Sequence, residues 1–157
     1  MKVIEYFDCE NSAFWLGKME KCDWDAGKYL AYLLKTNGLC DLVGEGTRVL
    51  LLVDGEELIS FSTLAPLDDV QPTDLTPWMG WIYTFPKYRG RRLAGRLFEY
   101  AEKVLTNEGA EAIHISTNHV GLYEKYGFDF YRTDKDVEGE ETRVYRKLIK
   151  KRVLSEK

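Results

Sequence analysis

The segment YTFPKYRGRRLAG, residues 83–95, decides how this chain is interpreted. It joins an aromatic, β-prone run at residues 78–85 to an amphipathic helix predicted from Arg91 to Glu108. No Ser, Thr, Asp or Asn lies between positions 86 and 96 to cap the free amides of that helix start. Five cations lie there instead, where the helix macrodipole disfavours positive charge: Lys87, Arg89, Arg91, Arg92 and Arg96.

A bound anion would resolve both of these unfavourable features, because it accepts hydrogen bonds from the amides and pairs with the arginines. Phosphate is the natural candidate at a helix start. A solvated basic turn, with water capping the amides, is the alternative. Neither GxxxxGK[ST] nor GxGxxG occurs in the segment, so nucleotide kinase and dinucleotide oxidoreductase functions lose their main support.

The elements around this segment predict a mixed α/β fold. The apolar run at residues 49–53 meets Asp54-Gly55 and returns at residues 57–64, which predicts a β-hairpin. Residues 65–77 hold three of the four prolines and predict a loop. Further strands are predicted at residues 1–7, 78–85, 112–117, 128–133 and 143–149, and further helices at 12–21, 28–38 and 120–126. Helices alternate with strands only in the second half, so we expect a mixed, mostly antiparallel sheet of six to seven strands flanked by about four helices.

Length and composition are those of one globular domain. The chain has 157 residues, of which 45% are hydrophobic and 31% charged, and no repeat or linker divides it. We therefore expect a domain at residues 1–150 and a charged C-terminal tail at residues 151–157. The net charge of -4 argues against a nucleic-acid binder, although a local basic patch remains compatible with one.

Cysteine and histidine usage argues against a metal site. Cys9, Cys22 and Cys40 lack CxxC spacing, and only His114 and His119 could join them as ligands. Free thiols are typical of a reducing compartment. The first ten residues contain no apolar signal region, and no apolar run approaches the roughly 20 residues that span a bilayer. We expect a cytoplasmic protein with no metal and no membrane partner.

Two motifs together resemble those of the GNAT superfamily of N-acetyltransferases. Residues 83–95 are similar to its acyl-CoA-binding motif, a strand followed by Pro-x-Tyr-Arg-Gly and [RQ]-x-x-G-x-[GA] leading into a helix. Arg89 matches the first bracketed position and Ala94 the last, whereas Arg92 stands where the family usually has Gly. Residues 121–128, GLYEKYGF, resemble the second signature L-Y-x-K-x-G-F. The resemblance implies a single-domain GNAT fold with a splayed parallel pair of central strands, at residues 78–85 and 112–117.

The resemblance also implies that acetyl-CoA is the acyl donor and lies between those two strands. Its pyrophosphate would bind the amides of residues 91–96, and backbone groups of Ile82 and Thr84 would pair with the pantetheine arm and the thioester carbonyl. A preorganised N–H at that carbonyl is typically worth about 10²–10³ in rate. The implied cosubstrate-binding residues are Ile82, Tyr83, Thr84, Arg89, Gly90, Arg91, Arg92, Leu93, Ala94, Gly95, Arg96, Asn118 and Tyr123.

Tyr123 matches the family tyrosine that protonates the departing CoA thiolate, unless it only packs on the cleft wall. The proton acceptor is less apparent. Some members use a glutamate near the start of the first splayed strand, where this chain has Trp78, Met79 and Gly80. His119 is a candidate base, because its ordinary pKa lies near 6.5. It could equally cap the helix predicted at residues 120–126, and a water chain ending on an acidic loop residue is the remaining option.

Charge is the only guide to the acceptor. The two loops expected at the acceptor end contain Asp23, Asp25, Asp134, Asp136, Glu138, Glu140 and Glu141. Acidic walls would attract a cationic amine, although solvated loop charge explains the same residues. The expected function is acetyl transfer by direct attack of a primary amine, on a small molecule in preference to a peptide, by a monomer or homodimer. A catalytically weak acyl-CoA sensor and a nucleic-acid-phosphate binder are the alternatives.

Overall fold

The computed structural model describes residues 1–150, so the tail predicted at residues 151–157 lies outside the described residues. Seven strands form one sheet: β1 (Lys2–Glu5), β2 (Arg48–Asp54), β3 (Glu57–Ala65), β4 (Trp78–Thr84), β5 (Ala112–Thr117), β6 (Asp129–Lys135) and β7 (Glu141–Leu148). The α-helices are α1 (Ser12–Met19), α2 (Asp25–Lys35), α3 (Leu39–Val43) and α4 (Gly95–Glu108). Short 3-10 turns lie at Tyr6–Asp8, Pro86–Tyr88 and Tyr123–Tyr126.

The strand order across the sheet is β1-β2-β3-β4-β5-β7-β6. Every neighbouring pair is antiparallel except β4 and β5, which are parallel. Those two strands share a single registered pair, Trp78 with His114, and separate beyond it. The mixed sheet and the splayed parallel pair are therefore confirmed.

The burial of β2 on both faces explains why apolar and polar residues do not alternate along it. Val49, Leu51 and Val53 pack with the helices α1 to α3, whereas Leu50 and Leu52 pack with α4 on the opposite face. All five side chains are at most 2% exposed. Successive strand residues point to opposite faces, so a strand covered by helices on both sides must be apolar throughout.

The predicted turns have the expected backbone. Asp54 pairs with Glu57 across the β2–β3 hairpin, and Gly55 has a φ of 59° in the two-residue turn. Gly109 ends α4 in the left-handed region with a φ of 75°, where glycine carries no side-chain penalty. Asn37 follows α2 with a φ of 58°.

Two helix predictions differ markedly from the structure, and one helix was not predicted. Helix α2, predicted at residues 28–38, is shifted to Asp25–Lys35. Helix α4 begins at Gly95 rather than Arg91, because Gly90 and Arg92 have φ values of 79° and 52°, outside the right-handed helical region. The helix predicted at residues 120–126 is only the turn Tyr123–Tyr126, preceded by Gly121 at a φ of 86°. Helix α3 was not predicted, because five residues are too few to show a helical period.

No helix within residues 1–150 is both long and apolar enough to span a bilayer.

Candidate active site

A cleft of about 690 Å³ lies where β4 and β5 separate. Its walls are β4 residues from Met79 to Ile82 and β5 residues from Ile115 to Thr117. Trp24 and Tyr29 border it on the α2 side, and Tyr123 lies on the opposite wall. A volume of this size is typical of sites that hold small molecules or cofactors.

A β-bulge in β4 helps to open this cleft. Thr63 of β3 faces Gly80 and Phe61 faces Tyr83, so the two residues between on β4 oppose one residue on β3. Trp81, inside the bulge, has a φ of 47°. Such bulges bend a strand and increase its twist, which here accompanies the divergence of β4 from β5.

The basic turn between β4 and α4 presents a row of free amides. The backbone N–H groups from Gly90 to Ala94 donate no hydrogen bond to any protein atom within residues 1–150. The next amides, of Gly95, Arg96 and Leu97, are bonded to carbonyls three residues earlier at 3.1, 3.0 and 2.9 Å. Alternating backbone handedness at successive amides forms an anion-binding concavity. These residues therefore fit a pyrophosphate group.

The arginines of this turn divide into two pairs. Arg89 donates from Nε to the Thr84 carbonyl at 2.8 Å, and Arg96 donates to the Met1 carbonyl at 3.0 Å. Arg91 and Arg92 are exposed and have no ion-pair partner in the described part of the chain. Arg91 and Arg92 are therefore the cations free to meet an anion, whereas Arg89 and Arg96 are already engaged.

Three of the predicted site residues lie on β4, with different orientations. Ile82 lines the cleft. Tyr83 points its side chain to the other side, into the core formed with α1 and α2, so only its backbone could meet a ligand. Thr84 ends the strand, and its hydroxyl lies 3.1 Å from that of Ser60. Leu93, which follows the free arginines, packs at the edge of the core under α4.

Tyr123 lies on the cleft wall with its ring packed against Phe98 and Phe128. It is 8% exposed, and burial raises the pKa of its phenol to about 12. The hydroxyl has no hydrogen-bond partner among residues 1–150. A phenol that keeps its proton, and has no competing partner among these residues, is free to donate a hydrogen bond to a ligand in the cleft.

Asn118 and His119 follow β5 at the mouth of the cleft, and both are exposed. The His119 amide donates to the Thr117 hydroxyl at 3.1 Å. No helix begins at His119, so the helix-capping alternative for its side chain has no basis. The Gly121 amide is instead capped by the Glu124 carboxylate at 3.0 Å.

The sequence pattern did not indicate two carboxylates that line the cleft, those of Asp68 and Asp69 in the β3–β4 loop. The Asp68 carboxylate lies directly over Gly80, where an added Cβ would be 2.6 Å from Cγ of Asp68. Burial, and secondarily the charge of Asp69, raises the pKa of Asp68 to about 7. The available signal was Gly80 itself, because a glycine inside a strand often marks a close approach by another group.

Comparison with known proteins identifies the family. The model of the acetyltransferase (GNAT) family matches residues 5–128. The chain belongs to this family. The predicted superfamily and its acyl donor, acetyl-CoA, are thereby confirmed, and GNAT membership makes the chain an acetyltransferase.

Solved GNAT structures share the fold at low identity. An aminoglycoside 6'-N-acetyltransferase complexed with coenzyme A is 15% identical with a TM-score of 0.69, covering 97% of this chain and 99% of its own. The aminoglycoside 6'-N-acetyltransferase from Enterococcus faecium is 14% identical with a TM-score of 0.68 and the same coverage. The GNAT family N-acetyltransferase YhbS from Escherichia coli, in complex with CoA, is 21% identical with a TM-score of 0.64, covering 94% of this chain and 81% of its own. No curated protein matches this chain.

Only two of the seven acidic residues predicted at the acceptor end line the cleft of this GNAT protein. Asp136 and Glu138 of the β6–β7 loop line it, together with Asp68 and Asp69. The other five acidic residues of the two loops do not line it: Asp23, Asp25, Asp134, Glu140 and Glu141. No lysine or arginine of residues 1–150 lines the cleft. Among the described residues, the charged side chains that line the cleft are therefore all acidic.

Proposed function

We propose that this GNAT protein transfers the acetyl group of acetyl-CoA to the primary amine of a cationic small molecule, by direct attack of the amine. The observation that carries this proposal is the opposite charge of two neighbouring regions, the start of α4 and the cleft between β4 and β5. Free amides and arginines lie at the start of α4, whereas four carboxylates, and no lysine or arginine of residues 1–150, line the space between β4 and β5. An anionic donor and a cationic acceptor would each meet the opposite charge.

The donor end would bind through backbone groups. The amides of Gly90 to Ala94 would donate hydrogen bonds to the pyrophosphate oxygens, and Arg91 and Arg92 would balance its charge. The pantetheine arm would run along β4 past Ile82, in the gap that the parallel strands leave. This end binds and orients the thioester for attack from the acceptor side.

The acceptor end favours an amine for two reasons. Four carboxylates line the cleft: Asp68, Asp69, Asp136 and Glu138. Trp24, Tyr29 and Trp81 add aromatic faces, which attract cations as well as apolar surface. The names of two structural relatives state that they acetylate aminoglycosides, which are small amine-bearing molecules. Their likeness supports a small-molecule acceptor in preference to a peptide.

Direct attack is supported by the position of the thiols. A two-step reaction through an acetylated cysteine needs a cysteine at the cleft, and none of Cys9, Cys22 and Cys40 lines it. The Cys22 thiol instead donates to the Trp24 carbonyl at 3.4 Å. Tyr123 would then protonate the leaving CoA thiolate. Free thiols suit a reducing compartment, so we place the reaction in the cytoplasm.

A thiol-release screen of acetyl-CoA against an amine library tests the function. The library should contain polyamines, aminoglycosides, aromatic monoamines and amino acids, and mass spectrometry should show an added acetyl group on nitrogen. We expect release with a cationic acceptor at neutral pH. Binding of acetyl-CoA without thiol release from any amine would support the sensor function instead, and an acidic best acceptor would contradict the charge argument.

A further inference from the structure

Strand β4 has no carboxylate of its own in the cleft, and the β3–β4 loop brings one to it. The loop passes the opening between β4 and β5, with the Leu67 amide bonded to the Val43 carbonyl at 2.9 Å. Asp68 comes next and lies against Gly80, which has no Cβ to block its carboxylate. The glycine and the aspartate therefore fit together, and the carboxylate reaches the cleft from outside the strand.

We propose that Asp68 is the general base of this acetyltransferase, which takes the proton from the acceptor ammonium inside the cleft. The assignment rests on the proposed function, since it requires an amine acceptor. It makes Asp68 the catalytic partner of Tyr123: one removes a proton from nitrogen, and the other supplies a proton to sulfur.

The other candidate groups around the cleft are less suited to this role. The Asp136 carboxylate accepts hydrogen bonds from the backbone amides of Glu138 and Glu140, both at 2.9 Å, so it stabilises the turn of its own loop. Asp69 and Glu138 are both exposed. His119 is exposed at the mouth. Asp68 is the half-buried carboxylate that lies directly against β4.

The charged surroundings suit a base that works near neutral pH. Asp69 is adjacent on the same loop, and Asp136 and Glu138 face the cleft from the β6–β7 loop. Within residues 1–150, His119 and Tyr29 are the remaining titratable groups on its walls besides Tyr123. Burial and the charge of Asp69 raise the pKa of Asp68 to about 7, which brings it closer to that of an alkyl ammonium. Proton transfer is most effective when the pKa of the base lies near the working pH.

The proton balance of the reaction is complete with these two residues. The Asp68 carboxylate takes one proton from the ammonium, leaving a neutral amine. The amine nitrogen bonds to the thioester carbonyl carbon, and the carbon–sulfur bond breaks as the amide forms. Tyr123 protonates the thiolate and recovers a proton from the former amine nitrogen. The products are the amide, CoA thiol and one proton, which Asp68 returns to solvent.

The pH dependence of Asp68→Asn tests the assignment, with the amine identified by thiol release as the acceptor. At pH 7 we expect kcat/KM for this amine to fall by about 10²–10⁴, with the KM for acetyl-CoA little changed. The difference in kcat/KM between Asp68→Asn and the wild type should narrow as pH rises towards the pKa of the amine, because more of the amine then binds in its neutral form. A gap that stays constant with pH would overturn the assignment.

Asp69→Asn is the matched control, since it removes the same charge from the same loop. It should keep an acid limb in its pH profile, moved to lower pH because the charge of Asp69 helps to raise the pKa of Asp68. If the difference in kcat/KM from the wild type narrows with rising pH in Asp69→Asn and not in Asp68→Asn, the base is Asp69 and the proposal is overturned.

Two further measurements separate catalysis from structure. Carbon NMR of the ligand-free protein, labelled at the aspartate carboxyls, should show one resonance titrating near pH 7 that is missing in Asp68→Asn; its absence from the wild type would contradict the proposal. Gly80→Ala should displace the Asp68 carboxylate and lower kcat/KM. In the double variant with Asp68→Asn, it should lower kcat/KM little further. Additive losses would show that Gly80 acts independently of Asp68.

Failure of the base assignment differs visibly from failure of the function. If the wild type releases no thiol with any amine, the proposed function is wrong and the base assignment is wrong with it. If the wild type turns over and Asp68→Asn matches it at every pH, only the base assignment is wrong.

Discussion

Tyr83 donates its phenol hydrogen to Asp23, sixty positions earlier in the chain. Arg89 lies over the Tyr83 ring, 5.3 Å from its centroid, and pairs with the same carboxylate at 3.5 Å. The loop between α1 and α2 is thereby attached to β4 and to the turn that follows it. Trp24, next to Asp23, stacks on Tyr83 with ring centroids 5.7 Å apart and also lines the cleft.

Tyr83→Phe tests whether this attachment holds the acceptor wall in place. The ring and its stack with Trp24 are kept, whereas the hydrogen bond to Asp23 is lost. We expect the KM for the acceptor to rise several-fold while the KM for acetyl-CoA changes less, as steady-state kinetics would show. Tyr32→Phe, on the exposed side of α2, is the control. Equal effects of the two variants would contradict the role of the Asp23 contact.

Acetyl-CoA should stabilise the protein against heat. The ligand would accept hydrogen bonds from amides that have no protein partner within residues 1–150. At a hundredfold excess over Kd, linkage contributes about 2.7 kcal/mol, which for a chain of this length corresponds to a rise in Tm of about 5–10 °C. Differential scanning fluorimetry checks this, with adenosine as a ligand lacking the pyrophosphate. An unchanged Tm at saturating acetyl-CoA would contradict a donor site at this turn.

Ala94→Glu should abolish CoA binding by placing bulk and negative charge at the free amides. Ala94 is the N-cap residue of α4, and glutamate is a good helix former that suits a helix start in electrostatic terms. Isothermal titration calorimetry would measure the loss, and circular dichroism would confirm the helix. Asn107→Glu makes the same charge change near the other end of α4 and should bind CoA normally. Normal affinity in Ala94→Glu would place the pyrophosphate elsewhere.

Tyr123→Phe removes the one proton that this side chain could donate and keeps its packing against Phe98. We expect kcat to fall by about 10²–10⁴ with the affinity for acetyl-CoA little changed. Because the pKa of Tyr123 is about 12, no alkaline limb from its ionisation should be seen below that pH in the wild type. Tyr126→Phe is the control, and a loss equal to that of Tyr123→Phe would refute the general-acid role.

Asp68 should also make folding stability depend on pH. Its pKa is about 7 in the folded protein and near 3.9 in an unfolded chain, so between these values the folded state binds more protons. The free energy of unfolding should therefore fall as pH rises through this window, by at most about 1.4 kcal/mol per pH unit from this group. Urea unfolding at pH 5 and pH 8 should show Asp68→Asn gaining stability relative to the wild type at the higher pH. Asp129→Asn, an exposed position, should show no such gain.

The local pattern of the sequence was enough to predict most of the fold. The apolar run in β2, the Asp54-Gly55 turn and the helical stripe of α4 each depend on neighbours within a few positions. Their periods of two and 3.6 residues determine which side chains share a face. The motif at residues 83–95 likewise identified the family, because its glycines and arginines act through the backbone of one continuous turn.

Only the tertiary structure decided which distant groups meet in the cleft. The prolines at residues 65–77 predicted a loop, but nothing local indicated that this loop would bring Asp68 over Gly80. The same holds for Asp23 and Tyr83, and for the acidic residues that line the cleft or lie away from it. The path of a loop depends on packing against residues far along the chain, which no local period records. The sequence therefore determined the donor turn, and the fold determined the groups available to the acceptor.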